Sequence, residues 1–102
     1  MAYEIANLLQ ALGKFTSVGA FIAGKGFAAG NAGHPGNGQY TVTLQDGIDV
    51  TERIVNVTSN TPAQYAAIDE SLGTDTTIAV RTYNAAGVET DGAFSVEVLR
   101  LT

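Results

Sequence analysis

Thr76-Thr77-Ile78-Ala79-Val80-Arg81-Thr82-Tyr83 leads into Asn84-Ala85-Ala86-Gly87, and a few residues later comes Phe94-Ser95-Val96-Glu97-Val98. This stretch decides the fold. Thr76, Ile78, Val80 and Thr82 alternate with Thr77, Ala79, Arg81 and Tyr83, and Phe94, Val96 and Val98 alternate with Ser95 and Glu97. Period-two alternation of β-branched and aromatic residues marks half-buried strands. The Asn-x-x-Gly between them tolerates positive φ, so the chain can reverse there. The pattern predicts strand, turn, strand, with the C-terminal end tied into a sheet.

Working backwards, residues 39–44 give the cleanest alternation, with Tyr40, Val42 and Leu44 on one side and Thr41 and Thr43 on the other. Asp46-Gly47 turns the chain, and residues 48–51 bridge to a strand over 52–59 carrying Ile54, Val55 and Val57. Asn60-Thr61-Pro62 turns it again before a strand over 64–69 with Tyr65 and Ile68. A turn around Gly73 completes the run. Further upstream, residues 15–23 read as a first strand with a bend or bulge near Gly19. Residues 24–38 form a glycine-rich loop in which Phe27 plugs the core or a subunit contact. That loop lacks the Gly-Lys-Ser/Thr ending of a phosphate cradle, and a strand rather than a helix follows it. In residues 3–12, Ile5, Leu8, Leu9 and Leu12 stand at helical spacing and Gly13 follows as a stop. A helix of about three turns is marginal alone. It predicts either a cap on its own sheet or an arm that docks on a neighbour.

The expected fold is therefore all-β: a small antiparallel sandwich, or jelly-roll-like barrel, of about six strands with turn signals every eight to twelve residues. Residues 1–14 form a helix or docking arm, and residues 15–102 form the β domain. A chain of 102 residues is one domain. Its core is modest, and domains of this size are often stabilised by association.

The charge balance narrows the function. Five basic residues face ten acidic ones, a net charge of −5, so neutralising a nucleic-acid backbone is not its work. Charged residues are 15% of the chain, well under the roughly 25% of ordinary domains. A Thr-, Ala- and Gly-rich surface with so little charge suits a protein that buries outer surface against neighbours, and equally a plain virion or secreted β-protein. There is no cysteine. No apolar run reaches membrane-span length, and the first residues lack the basic start of a signal peptide.

Catalytic chemistry has no visible constellation. His34 is the only histidine and has no carboxylate beside it in sequence. Asp46, Asp49 and Glu52 cluster near one turn and Asp69, Glu70 and Asp75 near another, but neither has calcium-loop spacing. No metal, cofactor or catalytic residue is assigned, and the expectation is a protein that is not an enzyme. Tyr83 is the best candidate for stacking on a sugar, against the plainer reading that it stacks across its sheet. Arg53, Arg81 and Arg100 fall in three strands, where they form cross-strand or intersubunit pairs or protect edges. Asn56-Val57-Thr58 matches a glycosylation sequon.

The second half carries a resemblance. Gly38-Gln39-Tyr40-Thr41-Val42-Thr43-Leu44, and Thr82-Tyr83-Asn84-Ala85-Ala86-Gly87 with Asp91-Gly92-Ala93-Phe94-Ser95-Val96, resemble strand and turn motifs of small β-modules in tailed-bacteriophage structural proteins. Such modules occur at fibre ends and as short virion proteins. The resemblance implies a β-sandwich, a homotrimer, and a place on the outside of a virion assembled in the bacterial cytoplasm. Only 37 residues precede Gly38, with no shaft repeat, so the implied role is a capsid decoration (cement) protein gripping the major capsid protein. Ile5, Leu8, Leu9, Leu12 and Phe27 are the expected contact residues. The alternative is a receptor- or glycan-binding tip module.

Overall fold

The computed structural model describes residues 8–28 and 30–101. Eight strands form two antiparallel four-stranded sheets packed face to face: β1 (Leu9–Phe15), β2 (Phe21–Lys25), β3 (Gly33–Gly36), β4 (Gln39–Thr43), β5 (Arg53–Ser59), β6 (Gln64–Ile68), β7 (Thr77–Asn84) and β8 (Phe94–Arg100). One sheet has the order β2-β1-β8-β5 and the other β3-β4-β7-β6. The first and last strands are neighbours, with Phe15 opposite Phe94 and Gly13 opposite Val96. No described helix is long and apolar enough to cross a membrane.

The core lies where the alternation placed it. Tyr40, Val42 and Leu44 from β4 and its end, Ile78, Val80 and Thr82 from β7, and Phe94, Val96 and Val98 from β8 are all buried. Phe15 joins them, stacked on Phe94 with ring centroids 5.3 Å apart. Burying such side chains stabilises by about 1.5–3 kcal/mol each. It is this burial that fixes each strand's register, because a slip by one residue would turn its whole apolar set outward.

Three expectations need correction. The described part of the expected helix over residues 3–12 is strand from Leu9 onward. Residues 3–7, including Ile5, lie outside the described residues. As a strand, residues 9–15 gain backbone partners on both sides, from β2 and β8, which a lone three-turn helix cannot match. The boundary expected after residue 14 therefore falls inside β1. Gly13 does not stop a helix. It faces inward, and a Cβ there would sit 2.8 Å from the Phe27 ring. The strand expected over 15–23 is broken in two: Phe15 ends β1, residues 21–23 open β2, and residues 16–20 between them turn, with Gly19 N–H donating to Thr16 O at 2.9 Å. Finally, the glycine-rich loop contains β2's end and β3.

Strands β7 and β8 are not a hairpin. Asn84 makes the expected reversal, its Oδ1 accepting from the N–H groups of Ala86 and Val88, and Glu89 then pairs back on Tyr83. Residues 90–93 carry the chain across to the other sheet.

Candidate functional site

The two lateral sides of the sandwich differ in chemistry. The edges β5 and β6 lie together on one side, and the edges β2 and β3 on the other. The β5–β6 side is fastened by an ionic clamp. Arg53 is buried, and its Nε and Nη2 bind the two oxygens of Glu70 at 3.0 and 2.8 Å. Its Nη1 and Nη2 also donate to the carbonyls of Thr74 and Thr77. A strand arginine of one sheet thus holds the connection into β7 of the other. The Arg53 pair is made within the chain and to a turn residue of the other sheet's connection, which differs from the cross-strand, intersubunit and edge-protecting roles expected for it. Arg81 is half-buried and donates to Val80 O at 3.1 Å, and Arg100 is exposed at the end of β8.

At the opposite end of the strands a second cluster forms. His34 Nε2 lies 2.8 Å from Asp91 Oδ1, and its ring stacks on Tyr40 with centroids 4.7 Å apart. Asp91 also accepts the Gly38 N–H at 2.7 Å. Burial works to raise the Asp91 carboxyl, but the Gly38 N–H and His34 outweigh it and hold it below its ordinary value of 3.8. Tyr40 donates to Ser17 O at 2.5 Å and accepts from Gly92 N at 3.1 Å. Burial pushes its phenol up. Asn37 locks the same corner, accepting from Asp91 N and donating to Glu89 O. Gly38 is required here, since its φ is +72° and a Cβ would lie 2.6 Å from both Thr82 O and Thr90 N. The partner of His34 stands 57 residues away, which no local motif announces. The cluster ties β3 to the β7–β8 connection.

The acidic turns are capping devices. Asp49 accepts from the Thr51 N–H and hydroxyl, and these hold its carboxyl below the usual range. Asp69 caps the Glu70–Leu72 turn through Ser71 N–H. Among the described residues no group of three His, Asp or Glu is placed to hold a metal ion. Asn56, the sequon residue, sits on the outer face of β5 and donates to Glu97 at 3.1 Å.

Tyr83 stacks on Tyr65 of the neighbouring strand, centroids 5.0 Å apart and nearly parallel. The cross-strand reading of Tyr83 is thus the geometry found, and it leaves Tyr65 half exposed at the β6 edge.

The expected contact residues do not form one patch. Leu12 points outward from β1, 43% exposed. Phe27 lies against the inner face of Gly13 and edge-on to Phe15 at 5.6 Å. The two are on opposite faces of one sheet. Leu8 and Leu9 are half-buried, and Ile5 lies outside the described residues. Phe27 walls a cavity of about 150 Å³ together with Phe15, Ala32 and Val42, open toward the β2–β3 side.

That side is where the surface is unusual. From residue 5 to residue 45 the chain carries no Asp or Glu, and only Lys14 and Lys25 are charged. Nine of the ten carboxylates and all three arginines come after Gln45. β1 to β4 form one lateral half and β5 to β8 the other, so the run without carboxylates lies in one half, where Glu89 and Asp91 of the β7–β8 connection reach only the β3–β4 corner. The charge-poor half ends in β2, whose five residues are all exposed. Among the described residues no strand pairs with its outer side. Phe21 (37%), Ile22 (56%) and, in the preceding turn, Val18 (67%) expose apolar surface there. By contrast β3 is short and interrupted by Pro35, a common way of blunting an edge. This surface was signalled in the sequence by the run without carboxylates, but only the strand order collects it on one side.

No family model, curated protein or solved structure matches this chain.

Proposed function

We propose that this chain is a non-enzymatic structural protein of a bacteriophage virion, a capsid decoration protein that binds between major capsid subunits and stabilises the head. The observation that supports the reading is the charge-poor lateral half with its open apolar edge at β2. Docking there would remove apolar area from water at about 25 cal/mol per Å², before the costs of association. A ligand that prefers the expanded shell stabilises that state by linkage. The homotrimer implied by the sequence motifs belongs to the same proposal, as does a virion location.

The test is reconstitution: purified chain added to heads that lack it, followed by electron cryomicroscopy. Density repeating on the capsid lattice supports the reading. Heads without added density, at concentrations well above those in a virion preparation, would overturn it. Removing residues 1–7 asks whether Ile5 belongs to the contact while leaving β1 intact. Density unchanged by that deletion removes Ile5 from the interface.

A second reading, a glycan- or receptor-binding tip module, is favoured by Tyr65, whose outer ring face is open at the β6 edge. It predicts sugar binding that is lost in Tyr65→Ala, measurable on a glycan array.

A further inference from the structure

Strand β2 presents three things together. Among the described residues its outer backbone groups have no strand partner, and the Phe21 N–H donates to Asn31 Oδ1 at 2.9 Å. It exposes Phe21 and Ile22. It also lies beside the only two lysines. Leu12 pairs with Lys25 and Lys14 pairs with Ala23, and cross-strand partners share a face, so both lysines project from the outer face of the sheet along with Leu12. Ala23 is small, so it leaves the Lys14 ammonium within reach of anything laid beside β2. Among the described residues neither lysine has an ion-pair or hydrogen-bond partner. In a chain of net charge −5, this edge alone is basic.

Resting on the docking reading above, we infer that β2 is a strand-acceptor site for an extended segment of a partner protein, apolar on its inner face and bearing carboxylates on its outer face. Main-chain hydrogen bonds along residues 22–25 supply the attachment, as in other strand additions. Apolar side chains of the incoming strand cover Ile22 and Phe21, and its carboxylates meet Lys25 and, across Ala23, Lys14. The charge complementarity selects an acidic strand over a second copy of this edge, which would bring four lysines together.

The probes are two synthetic strands, one alternating valine with glutamate and one alternating valine with lysine. Their binding to the full chain is followed by fluorescence anisotropy and amide hydrogen exchange. The expected result is binding of the glutamate strand only, with exchange slowed at residues 22–25. In the double variant Lys14→Glu, Lys25→Glu the affinity for the glutamate strand falls by about tenfold and the lysine strand binds instead, the size expected of two exposed ion pairs. Both lysines are exposed, so the variant keeps its core, which its urea midpoint verifies. Equal binding of both strands, or protection away from β2, would overturn the inference. So would concentration-dependent protection of the same amides without peptide, which would give the edge to a second copy. Head reconstitution separates the two levels. A variant that decorates heads at unchanged affinity, while its strand preference has switched, removes β2 from the capsid contact and leaves the decoration reading standing.

Discussion

The β5–β6 side and the β2–β3 side of the sandwich solve the same closure problem with different chemistry. On the first, one buried guanidinium spans the sheets and satisfies a carboxylate and two carbonyls at once. On the second, aromatic edges and a polar clasp do the work. Phe15 gathers Phe21, Phe27 and Phe94, Phe27 bridges to Leu44, and His34, Asp91 and Tyr40 close the corner. The ionic side buries the Arg53 guanidinium and leaves the Glu70 carboxylate partly exposed. The aromatic side is open, with a cavity and, among the described residues, an unpaired edge at β2. The difference teaches where association is affordable in this fold: an edge can stay free for docking if the opposite edge carries the rigidity.

That contrast can be broken by mutation. Arg53→Ala removes the clamp, leaves the Glu70 carboxylate without its cation, and takes one of two donors from each of the Thr74 and Thr77 carbonyls, which keep each other's N–H. It should lower stability by about 3 kcal/mol, a figure at the low end for buried pairs because Glu70 is partly exposed. The check is a reduced urea midpoint at unchanged slope. Phe27→Ala enlarges the existing cavity on the open side and should cost about 2 kcal/mol. If it costs more than Arg53→Ala, the open side is the better fastened and the comparison fails. Tyr40→Phe removes a hydroxyl bonded to Ser17 O and Gly92 N, and should cost about 1 kcal/mol.

Acid sharpens the same comparison. The Asp91 carboxyl is held below its ordinary value of 3.8 in the folded chain. A group depressed on folding contributes its stabilisation above the unfolded value and loses it as pH falls through the folded one. The clasp corner should therefore weaken below about pH 4, and Asp91→Asn should flatten that part of the stability profile and lower its neutral plateau, because the ionised carboxylate supplies its stabilisation there. Chemical denaturation at stepped pH reads both. The smallest effect belongs to Ile22→Asp, which changes stability by less than about 0.5 kcal/mol yet should weaken attachment to heads. A stability loss as large as that of Phe27→Ala would mean that Ile22 serves the fold and not a partner.

The alternating strands were legible because their signal is local. Tyr40/Val42/Leu44, Ile78/Val80/Thr82 and Phe94/Val96/Val98 each pair large inward residues with polar outward ones. Strand β1 was not legible, for a physical reason. Two of its three buried inward residues, Ala11 and Gly13, are small where Phe27 and the core press against them, and only Phe15 at its end is large, while a leucine, Leu12, faces out. Apolar periodicity then mimics a helix. Strand β3, with its Gly-His-Pro-Gly sequence, has almost no strand propensity and exists because β4 offers it an edge.

The sequence by itself determined an all-β chain, its main turn points, three inward faces and the absence of carboxylates from residues 5–45. Each of these depends on neighbours a few positions apart. The tertiary structure decided the rest: that β7 and β8 part into different sheets, that Arg53 turns inward to Glu70, that His34 meets Asp91, and that the residues without carboxylates collect beside one open edge. Those are contacts between positions far apart in the chain, chosen by which arrangement buries the apolar faces and satisfies the backbone together.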